Sequence, residues 1–138
     1  MIEAIVTKIE QYIHPKPLNP YKVDETFLCR LYSLLLKECV SYDEIENYLV
    51  AFGLLHLHEQ THQRLLVDPD HINDLILDGD YFYSLYYSYA AHHAFHLIEH
   101  NFASHLSKKE LHCIDESLPL LETIQTFLQQ GELYYGVS

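Results

Sequence analysis

Residues 58–62 read His-Glu-Gln-Thr-His, a literal HExxH. On a helix the two imidazoles of such a motif lie one turn apart and can share a zinc ion, with the glutamate as general base toward a bound water. A zinc-dependent hydrolase built on His58, Glu59 and His62 also needs a third protein ligand and a substrate cleft, usually beside an edge strand that aligns a peptide. No strand pattern accompanies the motif, and 11 histidines in 138 residues make a chance match common. The expectation is therefore no metal at His58 and His62, and a helix end that presents polar groups to solvent or a partner. His92, His96 and His100 recur at i, i+4 and i+8 with His93 adjacent. That spacing could hold a divalent ion, but it is equally the polar face of an amphipathic helix. His71, His105 and His112 stand alone.

Other chemistries find less. There is no GxSxG, no GxxxxGK phosphate loop and no Cys–His pairing that suggests an activated thiol. The four glycines, Gly53, Gly79, Gly131 and Gly136, form no cradle. No catalytic residue is assigned. A net charge of −12, with only eight Lys and Arg, leaves no basic patch for nucleic acid or an anionic membrane surface. Cys29, Cys39 and Cys113 are odd in number and share no CxxC spacing, which reads as reduced thiols of a cytoplasmic protein. The start of the chain carries Glu3 and Glu10 within its apolar pattern and lacks a basic leader, so it reads as an amphipathic helix. No run of about 18 apolar residues occurs, so stable membrane insertion is not expected.

The elements that must position these residues all read at helical period. Ile2, Ile5, Val6, Ile9 and Ile13 form a first stripe, closed by the three prolines of residues 14–20. Asp24 suits the N-cap of a second helix with stripe Phe27, Leu28, Leu31, Leu34 and Leu35. Ser41 with Glu44 forms a capping box that opens a third helix to about Leu66. Asp68-Pro69-Asp70 breaks the chain and caps a short helix through Leu77. Gly79-Asp80 then makes a turn, with Asp80 capping an aromatic helix to about Leu106. Ser107 and Glu110 form another box before a last helix that carries Leu111, Ile114, Leu118, Leu121, Ile124 and Leu128. Pro119 predicts a kink near Ser117, and Gly131 suits C′. The expectation is one all-α domain over residues 1–138, a bundle of about six helices with the two longest at its centre.

Two strings carry a resemblance. Residues 77–87, LDGDYFYSLYY, place Gly79, Asp80, Tyr81, Leu85, Tyr86 and Tyr87 as in component I of heptaprenyl diphosphate synthase, the non-catalytic half of a two-subunit trans-prenyltransferase. There a short apolar helix ends at GDY and a helix of the form GDYxSxLYY follows. Residues 44–50, EIENYLV, with the apolar run to Leu57 and then Gln60-Thr61-His62, resemble the family's ENYxV helix that ends in Thr-His. The likeness spans about residues 24–98. With its last residue at Ser138, the chain is more similar to the short form, the small subunit of hexaprenyl diphosphate synthase.

The resemblance implies an isoprenoid-synthase-like helical fold and a regulatory subunit of a heterodimer; the alternatives are the zinc-dependent hydrolase and a helical adaptor unrelated to prenyl transfer. It implies a catalytic large subunit, component II, as partner, condensing isopentenyl diphosphate onto an allylic diphosphate for the menaquinone side chain. Catalytic prenyl synthases carry DDxxD at the corresponding helix end, where Mg²⁺ bridges to the diphosphate. Here the comparable residues are Gln63 and Arg64, no aspartate lies between Leu49 and Val67, and no DDxxD occurs elsewhere. The resemblance thus assigns no cofactor to this chain and Mg²⁺ to the partner subunit. Tyr81, Tyr83, Tyr86, Tyr87 and Tyr89 ring most of one helix, with no charged side chain from Tyr81 to Ala91. They could line a buried central helix, but tyrosine also favours interfaces. With the resemblance, one side is expected to meet the catalytic subunit, and the isolated chain could pair with itself.

Overall fold

The isoleucine stripe forms the first helix, α1 (Ile2–Tyr12), and Ile5, Ile9 and Ile13 are buried. The computed structural model describes residues 1–94, 97–98, 102 and 118–137, of which 118–119 and 131–137 are described by their backbone alone. Four further helices are α2 (Glu25–Lys37), α3 (Tyr42–Arg64), α4 (Ile72–His93) and α5 (Leu118–Val137). A 3-10 turn, Pro69–His71, leads into α4. No strand occurs among the described residues, and the architecture is the all-α bundle expected from periodicity.

Asp24 caps α2 as its position predicts: its Oδ1 accepts from the Phe27 N–H at 3.0 Å. The buried stripe of α2 is Phe27, Leu28, Leu31 and Leu35. Its C-terminus closes through Cys39, which has φ 58°. The Cys39 N–H donates to Leu36 O at 3.1 Å and the Val40 N–H to Leu35 O at 3.0 Å. This is the paired closure of a Schellman motif, with a cysteine where glycine is usual.

Ser41 occupies the N-cap of α3, but its side chain makes no capping bond. The Glu44 N–H, the donor a capping hydroxyl would take, is instead satisfied by the Ser41 carbonyl at 2.9 Å. The expected capping box is therefore not closed. From Tyr48 to Leu57 every residue of α3 is buried. A helix apolar on all sides belongs in a core, and α3 packs against α1, α2 and α4. The approach of α1 is close at Gly53, where a Cβ would sit 2.5 Å from Ile9 Cδ1. On the other flank Phe102 bridges Phe52 of α3 and Phe127 of α5, with ring centroids at 5.1 and 5.6 Å, both edge-to-face.

One expectation is corrected at Gly79-Asp80. Instead of a turn between two helices, α4 runs unbroken from Ile72 to His93, and no described glycine has positive φ. Glycine inside a helix costs only about 1 kcal/mol, and α4 buries Leu75, Phe82, Tyr86, Tyr89 and Ala90 along one continuous face. That burial outweighs the local breaker. The fourth and fifth helices expected from sequence are thus one, so five α-helices are described where about six were expected. Asp80 is exposed and caps nothing. The aromatic helix also stops at His93, short of Leu106. Gly131, expected past the end of the last helix, lies inside α5, which shows the same tolerance of an interior glycine. The Ser107–Glu110 box, Leu111, Ile114 and the kink near Ser117 lie outside the described residues.

Three substitutions test this account by thermal or denaturant unfolding. Cys39→Gly relieves the left-handed backbone and should stabilise by about 1 kcal/mol. Gly79→Ala should stabilise by up to about 1 kcal/mol, because the new Cβ meets only ordinary contacts. Gly53→Ala should cost about 1–3 kcal/mol by overpacking Ile9. If Gly79→Ala instead destabilises strongly, a turn at that position is restored as the explanation.

Candidate functional site

The two strings singled out by sequence meet across the α3–α4 contact. His58 Nδ1 lies 2.9 Å from Gly79 O, so this nitrogen carries the proton and donates to the carbonyl. A Cβ on Gly79 would lie 3.7 Å from Thr61 Cγ2. The His58 ring also rests against Tyr83, with centroids 5.4 Å apart, and stands 6.3 Å from the His62 ring. Glu59 is 1% exposed and accepts from Gln63 Nε2 at 3.2 Å. A general base for hydrolysis must reach a metal-bound water, and Glu59 is buried. Among the described residues no three His, Cys, Asp or Glu side chains converge on a point that could hold a metal. The contacts shown give the HExxH segment a packing role at the helix crossing.

The side chain that organises this region is one the sequence reading passed over. Asp78 is 3% exposed, and its carboxyl oxygens accept from the Leu18 N–H at 2.7 Å, the Asn19 N–H at 2.8 Å and Asn19 Nδ2 at 3.0 Å. One turn on, the Tyr81 hydroxyl donates to Pro15 O. Pro15, Pro17 and Pro20 have no N–H of their own, and the N–H groups of Leu18 and Asn19 between them converge on one acid. The available signal was the position: Asp78 falls three residues after Leu75 and four before Phe82, on an apolar face where an aspartate needs partners.

The five tyrosines divide by depth. Tyr86 and Tyr89 are each 2% exposed. The Tyr86 hydroxyl donates to Leu97 O at 3.2 Å and that of Tyr89 to Asn47 Oδ1 at 3.2 Å. Tyr89 also meets Tyr12 edge-to-face at 5.3 Å. Burial pushes the Tyr86 phenol well up, and burial followed by nearby Glu46 raises Tyr89 to about 12. Both remain protonated donors at neutral pH. Tyr81 and Tyr83 are half-buried, and Tyr87 is 50% exposed. Tyr86 and Tyr89 thus belong to the chain's own core, while a partner on this helix would meet Tyr87 with the edges of Tyr81 and Tyr83.

His92 Nδ1 faces Ser88 O at 2.7 Å and the His93 ring packs on Tyr89 at 4.4 Å. His96 and His100, the other members of the i, i+4, i+8 histidine series, lie outside the described residues. Leu66, Val67, Ile72, Ile76 and Leu77 leave an exposed apolar surface around the link from α3 to α4.

Asp78→Ala should leave two backbone N–H groups without their acceptor and cost about 3 kcal/mol. Hydrogen exchange at Leu18 and Asn19 should accelerate in this variant more than elsewhere. Unchanged protection of those two amides would show that Asp78 does not hold the loop.

Comparison with known protein families, with curated proteins and with solved structures finds no match to this chain.

Proposed function

We propose that the chain is the non-catalytic small subunit of a heterodimeric polyprenyl diphosphate synthase of the hexaprenyl or heptaprenyl type, acting in the cytoplasm in menaquinone side-chain synthesis. The observation that carries this reading is the likeness of residues 44–65 and 77–87 to the family's non-catalytic component, in a chain without the aspartate-rich motifs of the catalytic one. The likeness rests on residue strings and not on a turn, since Gly79 and Asp80 are helical here. The partner supplies the DDxxD motifs, the Mg²⁺ and the condensation. This subunit supplies a rigid helical surface that holds the partner in its active arrangement.

The exposed side of α4 supports such a surface. At about 100° per residue, Ile72, Ile76, Tyr83 and Tyr87 fall within roughly 60° of one another. Ile72 is 41%, Ile76 45% and Tyr87 50% exposed. A stripe of this kind, with an aromatic ring and little charge, is where binding energy concentrates in an interface.

The reading is tested by incubating the purified chain with isopentenyl and farnesyl diphosphates and Mg²⁺, alone and with the catalytic subunit of a two-component synthase. Alone it should form no product, and together the two should elongate. Tyr87→Ala should weaken the complex by about 2 kcal/mol, roughly thirtyfold, with the melting temperature unchanged. Tyr86→Ala should instead lower the stability of the isolated chain by about 3–5 kcal/mol. Turnover by the chain alone, or a folded chain that binds no such catalytic subunit, overturns the reading.

A further inference from the structure

Asp80 plays no described part in holding the fold. It is exposed inside α4, and its side chain makes no hydrogen bond or ion pair among the described residues. Its place on the helix is nevertheless specific. At about 100° per residue, Asp80 falls within roughly 60° of Ile76, Tyr83 and Tyr87, with Leu77 about as far away on its other side. Ile76, Leu77 and Tyr87 are all exposed. The acid therefore stands inside the open apolar face of α4, not at its edge. Anything that covers Ile76, Leu77 and Tyr87 covers Asp80 as well.

A carboxylate taken out of water is costly unless an opposite charge meets it. This part of the chain offers none. No Lys or Arg occurs from Leu65 to Ser107. The nearby His71 is engaged with Asp68, at 3.0 and 3.1 Å, and Asp70 and Asp74 add exposed acids on the same turns. The cation must then come from what docks. A second copy of this chain is a poor fit, because two such faces would set acid against acid in molecules that each carry −12. A helix suits the shape: Ile72, Ile76 and Asp80 follow at four-residue intervals, the row that seats between the ridges of a second helix.

We infer that the open face of α4 docks a partner helix whose apolar stripe is interrupted by a Lys or Arg, and that Asp80 selects this helix by pairing with that cation. The inference rests on the α4 interface proposed above and adds what the other side must carry. Ile76, Leu77 and Tyr87 supply contact area. Asp80 supplies discrimination, since an apolar or acidic residue opposite it leaves a charge buried without its counterpart.

The probes are three amphipathic peptides with Leu on one face, Gln on the other and the same charged ends. They differ at the centre of the apolar stripe, which is Lys, Leu or Glu. Titrated against the full chain by fluorescence anisotropy, the Lys peptide should saturate a single site at least about tenfold more tightly than the other two. Asp80→Asn should remove that preference, and Asp80→Lys should transfer it to the Glu peptide. Ile76→Ser should weaken all three peptides about tenfold and keep their order. Leu36→Ser, at an exposed leucine of α2, should change nothing. All of these positions are exposed or half-exposed, so the variants should melt as the parent does. Equal binding of the three peptides, an unchanged preference in Asp80→Lys, or no saturable binding of the Lys peptide overturns the inference. A catalytic synthase subunit that binds the parent and Asp80→Lys equally well also overturns it, while the reading of the chain as a synthase subunit stands. Selection of the Lys peptide through Asp80, without binding to any such subunit, upholds the inference and removes that reading.

Discussion

Burial of α3 on every side from Tyr48 to Leu57 is the constraint on which the other elements depend. Ten consecutive buried positions leave no polar face to turn toward water, so neighbours must surround the helix. α1 closes one side and reaches near van der Waals limits at Gly53. α2 closes another and brings a partner to the imidazole in that stretch. His56, 2% exposed, has Nε2 at 3.4 Å from Asp24 Oδ2 and its ring stacked on Phe27 at 4.0 Å. Asp24 therefore caps α2 with one oxygen and faces a buried imidazole with the other, so the start of α2 and the middle of α3 are held together.

The third neighbour, α4, has one face in the core and another left open. Its inner face carries Phe82, Tyr86 and Tyr89 into the core, and Asp78 and Tyr81 tie the proline-rich loop down beside them. Its outer side keeps Ile72, Ile76 and Tyr87 open. A helix anchored this firmly on one face can present the other without changing shape, which lowers the ordering cost of binding a partner. The same loop, once fixed by Asp78, brings Pro20 O within 3.3 Å of Arg64 Nη1, which donates to it. One buried carboxyl thus ties α4 to a loop that also meets the end of α3.

Much of this was legible in the chain. Periodic stripes placed α1, α2 and α3 to within a few residues, Asp24 announced its cap, and the absence of alternating or hairpin patterns excluded strands. Those features depend on neighbours a few residues away, which a linear pattern records. The candidate site was legible only in part: the strings 58–62 and 79–81 stood out, but their contact through His58 and Gly79 did not, because it joins residues 21 apart.

What tertiary structure alone decided follows from competition between local and distant terms. Gly79-Asp80 is a turn by local propensity and a helix in the fold, because a breaker worth about 1 kcal/mol is overcome by the apolar face that continues through Leu75, Phe82 and Tyr86. The tyrosines encircle their helix, so sequence could count the rings but not sort them. Tyr12 of α1 against Tyr89 and the carbonyl of Leu97 against Tyr86 drew the inner pair in, and left Tyr87 outside. Asp78 looked like one more acid in a chain of net charge −12. Its role came from a loop 60 residues away whose prolines left just a few N–H donors to satisfy, and chain connectivity carries no record of such a meeting.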